Sequence, residues 1–194
     1  MNAAGGFMFD VTWRPPILRT ERLVLRPYEE ADAPRLFPHA RNANSTRFTL
    51  WDHHRSLDDT LNFVRDYARS RYAEGVPEPL AIALKDAPEQ PIGSAGCYWA
   101  SQPHRCAELG YWLAEPFWGR GIAAEACRAL LSFAFAHLKP RRIQARVIEG
   151  NAASIRVLQK LGFQFEGTLR SATLRRGQFE NVHFYSLLDD DPIA

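Results

Sequence analysis

Between Glu108 and Leu138 the hydrophobic positions change period once. Leu109, Tyr111 and Leu113 recur at every second position, the spacing of a strand, whereas Ala123, Cys127, Leu130, Leu131, Ala134 and Leu138 recur at helical spacing. Glu125, Arg128 and Ser132 fall off that helical stripe. The two periods are joined by a corner at Glu115-Pro116 and a turn holding Gly119 and Gly121. A strand, a glycine turn and a helix start together form an anion site. The first N–H groups of the helix lack partners, its dipole favours negative charge, and glycines let a phosphate approach the backbone.

The remaining pattern predicts one domain around this segment. Leu23 and Leu25 alternate with Arg22, Val24 and Arg26 as a first strand, and Glu29 to Arg41 reads as a short helix with acidic residues at its start. Ser56, three residues before Asp59, opens a second helix whose buried stripe is Leu57, Leu61, Val64 and Ala68 and which Gly75 closes. Leu80 to Lys85, Ile92 to Ala100 and Glu108 to Leu113 are successive strands. Beyond the central helix Ile143, Ala145 and Val147 alternate; Asn151 caps a helix facing inward through Ile155, Leu158 and Leu161, and Gly162 ends it. Phe163 to Phe165 and Val182 to Leu188 are the last strands, with Arg176-Gly177-Gln178 at the hairpin tip. The order β-α-α-β-β-β-α-β-α-β-β predicts an α+β fold with a single mixed, mostly antiparallel sheet of about seven strands and about four helices. Residues 1–16, with Gly5-Gly6 and Pro15-Pro16, read as an arm; 17–188 as the domain; 189–194 as a solvated acidic tail. Phe7, Phe9 and Trp13 are too apolar for a free arm and are expected to pack in cis or in a homodimer contact.

Composition narrows the function classes. With 194 residues, 46% apolar and 24% charged, the chain has ordinary globular values. A net charge of +2 makes no electrostatic case for nucleic acid. Cys97, Cys106 and Cys127 are odd in number and without C-x-x-C spacing, so neither a disulfide framework nor a metal site is indicated, and a reducing cytoplasm fits. Nothing approaches the ~20 apolar residues of a membrane span, and the first residues do not pattern as a signal peptide.

Two phosphate motifs are excluded by spacing: no Gly-x4-Gly-Lys-Ser/Thr run exists, and Gly119-Arg120-Gly121 is followed by Ile122, Ala123 and Ala124 without a third glycine. As physics alone the glycine turn reads equally as an ordinary helix start. Tyr111 to Ala126, YWLAEPFWGRGIAAEA, resembles the acetyl-CoA-binding segment of the GNAT superfamily of N-acetyltransferases, in its RimJ/RimL-like ribosomal-protein branch. Leu18–Pro27 resembles that branch's opening strand, Asn151–Phe163 its fourth helix, and Glu166–Arg170 with Phe179–Leu188 its closing hairpin, so that the likeness spans about residues 17 to 188. Aligned on Gly121 and Ala123, the superfamily's Gln/Arg position holds Trp118, which is usual in this branch.

The resemblance implies a GNAT fold with a splay between the fourth and fifth of the seven strands, filled by the pantetheine arm of acetyl-CoA. It implies that the backbone of Trp112 and Leu113 pairs with pantetheine. The N–H groups of Gly119, Arg120, Gly121, Ile122, Ala123 and Ala124 would hold the pyrophosphate, and Asn151 would meet the pantetheine near its thiol. Glu108 would be the base, Ser154 the acid toward the leaving thiolate, and Trp51, Asp52 and His53 would line the acceptor site. The implied reaction is direct acetyl transfer to a primary amine, on a protein N-terminus or a small molecule; the alternative is a binding-only acyl-CoA sensor.

Overall fold

The computed structural model describes residues 13–194. Phe7 and Phe9 of the expected arm lie outside the described residues, and Trp13 is half-buried. One eight-stranded sheet runs through the domain in the order β1-β2-β3-β4-β5-β6-β8-β7. Its strands are β1 (Leu18–Arg19), β2 (Leu23–Pro27), β3 (Leu80–Leu84), β4 (Ala87–Ser101), β5 (Cys106–Leu113), β6 (Arg142–Ile148), β7 (Gln164–Arg175) and β8 (Gln178–Leu188). The eighth, beyond the seven in the sequence pattern, is β1, whose two residues are too few to carry a period.

Every neighbouring pair is antiparallel except β5 and β6. A parallel pair needs a long crossover, and helix α4 (Ile122–His137) supplies it. The pairing lasts only from Cys106↔Arg142 to Glu108↔Gln144; beyond Glu108 the two strands part. This is the expected splay.

Helix α4 and helix α5 (Ala152–Lys160) cover one face of the sheet. Cys127, Leu130, Leu131 and Leu158 are fully buried there against Leu23, Ile82, Ile143 and Leu187. On the other face lie α1 (Ala33–Ala40), α2 (Leu57–Asn62) and α3 (Ala68–Ala73), whose Leu36, Ala40 and Ala68 pack with Tyr28, Ala81 and Trp112. Ser56 caps α2 by the expected box, accepting from Asp59 N–H while the Asp59 carboxylate accepts from Ser56 N–H. The stripe differs from its prediction: Leu57 is exposed and Thr60 is buried. Leu57 is the first residue of α2, and the buried row runs Thr60, Val64 and Ala68 at a spacing of four, through a π-helical turn over Phe63–Tyr67 that joins α2 to α3.

The hairpin of β7 and β8 closes on Arg176 and Gly177, both in the left-handed region (φ 51 and 78), as a two-residue turn with Arg175↔Gln178 as its last pair. The acidic tail is not simply solvated. Asp189 and Asp190 pair with Arg141, Ile193 packs on the core, and Arg128 Nε donates to Ala194 C=O at 2.7 Å.

Candidate active site

The parting of β5 from β6 opens a cavity of about 520 Å³ that passes through the sheet. Asn151, Ser154 and Tyr111 line it on the α5 side; Trp51, His54, Phe63 and Tyr67 line it on the α2 side; Glu108 and Arg146 stand between.

At the start of α4, Gly119 and Gly121 take φ of +73° and +76°, a region in which a Cβ is strained. Gly121 is the N-cap, and the first intrahelical bond runs from Glu125 N–H to Gly121 C=O at 3.1 Å. The N–H groups of Gly121, Ile122, Ala123 and Ala124 therefore precede the ladder and have no helical partner. Arg22 steadies the turn by donating to Arg120 C=O (3.1 Å) and to Glu125 (2.7 Å). Thr20 also donates to Glu125, at 2.5 Å, so the one carboxylate in the first turn is already matched. Gly119, Arg120 and Gly121 are exposed, and the Arg120 guanidinium lies 5.8 Å from the Phe117 ring centre. Exposed donors at a helix N-terminus, approached over glycine, fit a pyrophosphate.

The edge of β5 can be read from its register. Ala114 N–H bonds Ile92 C=O at 2.8 Å, and Ser94 lies opposite Trp112. Antiparallel alternation then turns the peptide groups of Trp112, Gly110 and Glu108 toward β4 and those of Leu109, Tyr111 and Leu113 toward the splay. The Leu113 peptide faces the gap, and its C=O accepts from the Trp118 indole at 2.7 Å. The expectation for Trp112 is corrected. Its backbone belongs to the β4 ladder, and it reaches the cavity through its indole, 5.4 Å from Trp51 and edge-on at 75°. Tyr111 supplies the open backbone groups instead. This unpaired edge fits an extended amide-bearing chain.

Glu108 is 7% exposed. Its Oε1 accepts from Tyr98 Oη (2.6 Å) and Arg146 Nε (2.8 Å), and its Oε2 from Gln144 Nε2 (2.8 Å). Its partner is thus Arg146 on the diverging strand rather than nearby Arg105. Oε2, with a single protein donor, keeps acceptor capacity for a water or an amine. Burial raises the Tyr98 phenol, which stays a donor.

Asn151 caps α5, its Oδ1 accepting from Ser154 N–H at 3.2 Å. Ser154 Oγ lies 2.8 Å from Tyr111 Oη, so the expected acid is one half of a hydroxyl pair. Burial pushes the Tyr111 phenol far up, keeping its proton in place at ordinary pH. Cys97 and Cys127 are buried, burial pushing the Cys97 thiol up to about 12, and both belong to the core.

On the α2 side Trp51 lines the cavity. Asp52 and His53 are both exposed and neither lines the cavity; Asp52 Oδ1 accepts from Arg176 Nε at 2.9 Å. His54 does, its Nδ1 2.8 Å from Thr60 Oγ1, and burial lowers its pKa, so the ring is neutral. Glu78 also lines the chamber, held by Tyr67 Oη and Arg71 Nε, each at 2.7 Å. Arg175 and Arg176 at the hairpin tip bond the carbonyls of Thr46 and Arg47, tying β7–β8 to the loop that bears Trp51. Tyr98, Gln144, Arg146, His54 and Glu78 carry no motif. The sequence signal for Tyr98 and Arg146 is their placement on the strands flanking Glu108. No helix among the described residues is long and apolar enough to cross a membrane.

Residues 22–164 match the family model described as acetyltransferase (GNAT) domain. The uncharacterised N-acetyltransferase YoaA of Bacillus subtilis is 34% identical over 173 residues, covering 89% of this chain and 97% of that protein. Among solved structures, RimL, a ribosomal L7/L12 α-N-protein acetyltransferase in complex with coenzyme A, superposes with a TM-score of 0.79 at 21% identity, covering 89% of this chain and 98% of RimL. A probable GNAT acetyltransferase from Chromobacterium violaceum superposes at 0.76 with 26% identity, covering 97% of each chain. With the open edge of β5, the glycine turn ahead of α4 and the channel through the sheet, these likenesses settle the family: the chain belongs to the GNAT N-acetyltransferases, enzymes that use acetyl-CoA.

Proposed function

We propose that this enzyme transfers acetyl directly to a primary amine in a ternary complex, the two substrates meeting from opposite faces of the sheet. The observation that carries this is the channel through the splay, which joins the open edge of β5 and the start of α5, at Tyr111, Asn151 and Ser154, to the chamber on the α2 side. Acetyl-CoA supplies an activated thioester carbonyl when bound; the protein's own residues order the partners and move protons. The N–H groups from Gly119 to Ala124 hold the pyrophosphate, Asn151 orients the arm near its sulfur, and the peptide groups of Tyr111 and Leu113 fix the arm along β5. Glu108 Oε2 takes the proton of the attacking amine, directly or through one water. The Ser154–Tyr111 hydroxyl pair returns a proton to the departing sulfur. No cysteine relays the acetyl group, since Cys97 and Cys127 are sealed in the core and the half-buried Cys106 does not line the cavity.

The N-terminal amine of a protein and a small-molecule amine both suit this chemistry, and a reducing cytoplasm is the compartment in which we place it. The test is thiol release from acetyl-CoA against peptides of varied N-termini and a set of amine metabolites. Amine-dependent thiol release, with the acetylated amine seen by mass spectrometry, is expected. Acetyl-CoA binding without turnover on any amine would refute the transfer reading.

A further inference from the structure

Gly110 lies in the middle of β5, an interior strand, and is nevertheless exposed. Its φ is not in the left-handed region, unlike that of Gly119 or Gly121. A Cβ built on it would meet no heavy atom within 4 Å. Neither backbone conformation nor packing therefore asks for glycine at this position. Its cross-strand partner is Gly96, and the two differ: a Cβ on Gly96 would come within 2.1 Å of Glu78 Cγ, so that glycine is covered. Only Gly110 leaves a hollow in the floor of the chamber. Glu108 and Trp112 flank it on the same face, two residues to either side, and the peptide groups of Leu109 and Tyr111 beside it open toward the splay.

The walls describe the occupant. Trp51, Trp112 and Phe63 line the same chamber, and its two carboxylates are each matched by an arginine, Glu108 by Arg146 and Glu78 by Arg71. With the neutral His54, the chamber holds no unmatched charge to attract an anionic body.

We propose that Gly110 is the seat of the acceptor amine, which stands over the strand between the Glu108 carboxylate and the Trp112 indole, on an uncharged ring-bearing or apolar body. This rests on the transfer reading above. A small arylalkylamine and a peptide beginning with an aromatic residue share that chemistry.

The test replaces the missing side chain with a nucleophile. In Gly110→Cys the new thiolate attacks the carbonyl carbon of acetyl-CoA, the bond from that carbon to the coenzyme sulfur breaks, and coenzyme A leaves as the thiol with the proton the protein thiol gave up. One thioester replaces another, and nothing is oxidised. Intact mass and peptide mapping after incubation with acetyl-CoA should find one acetyl group on residue 110, absent from the parent. 2-Phenylethylamine or a phenylalanine-initiated tripeptide should slow that labelling at least threefold, the faster competitor identifying the source, while taurine should not. Gly110→Ala should melt no lower than the parent, because the site has room and a glycine in a strand weakens it. It should bind acetyl-CoA within twofold of the parent and lose amine acetylation at least tenfold.

An unlabelled residue 110 in a variant that binds acetyl-CoA overturns the proposal. So does loss of acetyl-CoA binding in either variant, which would give the hollow to the cosubstrate. A markedly lower melting temperature for Gly110→Ala would make the glycine structural and also overturn it. Labelling slowed equally by taurine refutes the apolar acceptor. Failure of the parent itself to transfer acetyl to any amine would count against the transfer reading and remove the acceptor seat that rests on it, whereas an unlabelled residue 110 beside a parent that transfers acetyl overturns the seat alone.

Discussion

Glu108→Gln is the most informative single substitution, because the structure separates two effects that it combines. The first is on the network. Glu108 Oε1 carries Tyr98 and Arg146, and Oε2 carries Gln144. An amide can keep its oxygen toward Tyr98 and Arg146, and its NH₂ then meets Gln144, which must flip to present an oxygen. The hydrogen bonds are kept in number, apart from the weak one from Cys106 Sγ to Gln144 at 3.5 Å. What is lost is the charge on the acceptor. Hydrogen bonds to charged groups contribute about 1.5–3 kcal/mol against about 1 for neutral ones, so the variant should lose roughly 1–3 kcal/mol. At roughly 2–4 °C per kcal/mol for a domain of this size, the melting temperature should fall by about 2–12 °C. The second effect is on chemistry. An amide cannot accept the amine proton, so turnover should fall roughly 10²–10⁴-fold, with acetyl-CoA affinity held within about threefold. The deficit should shrink as pH rises toward the range where the acceptor amine is already neutral. Arg146→Gln is the control: it breaks the same ion pair from the other side and leaves the carboxylate. If Glu108 only organises the network, the two variants lose turnover equally; if it is the base, Glu108→Gln loses far more. Parent-like turnover of Glu108→Gln at neutral pH would refute the reasoning and direct attention to the neutral ring of His54.

Gly121→Val adds a Cβ at φ +76°, and strain of about 1–2 kcal/mol together with the blocked approach to the first-turn N–H groups should weaken acetyl-CoA binding at least tenfold, about 1.4 kcal/mol by calorimetry. Ser154→Ala and Tyr111→Phe should each slow turnover by about tenfold, below the 10²–10⁴ of a full general acid because a thiolate leaves readily, and the double variant should be no slower than the worse single one; additive losses in steady-state rate would show that the hydroxyls act separately. The Arg142 guanidinium, helped by the Ser186 hydroxyl, holds Glu166 at about 2 against its ordinary 4.5. A carboxylate depressed on folding stabilises above its unfolded value and loses that contribution as pH falls through the folded one, so thermal melts of Glu166→Gln should depend less on pH between about 4.5 and 2 than those of the parent.

The central segment was legible because three independent signals coincide in it: a period of two, a glycine turn and a helical period. The Ser56–Asp59 box and the Asn151 cap were legible for the same reason, each being a local arrangement complete within four residues. Glu108, which lines the cavity, was singled out as a candidate through resemblance, but its environment was not legible. Tyr98 faces it only because the β4–β5 pairing runs through an irregularity between Trp99 and Ser101, which no count from the turn at Pro103-His104 supplies. Arg146 meets it only because β6 leaves β5 just beyond Gln144. The choice of Trp112 over Tyr111 for the open edge failed on parity, since hydrogen-bond direction along a strand alternates and is set by a single anchoring bond at Ala114. His53 and His54 differ by one position in an irregular loop, where no period says which side chain turns inward. The π-helical turn at Phe63–Tyr67 left no mark in the spacing of Leu57, Leu61, Val64 and Ala68, yet it brings the Phe63 and Tyr67 rings to 5.7 Å of each other, nearly parallel.

The brief contact between β5 and β6 leaves the ladder of the sheet joined, between β1–β5 and β6–β8, by only three residue pairs, although the core under α4 and α5 is shared by both halves. Apart from the two pairs of the short edge strand β1, adjacent strands share longer ladders, such as the seven pairs between β6 and β8. Amide exchange through partial opening follows the weakest seam of a fold, and this seam is also the substrate channel. A chain laid along Leu109 to Leu113 would bridge the two halves, so its binding energy becomes cohesion between them. At a ligand concentration one hundred times its dissociation constant that linkage is worth about 2.7 kcal/mol. Among the sheet amides, those of β5 and β6 beside the gap should therefore exchange fastest in the free enzyme and gain the most protection when acetyl-CoA is bound, so that the ligand acts as the missing rungs of the ladder.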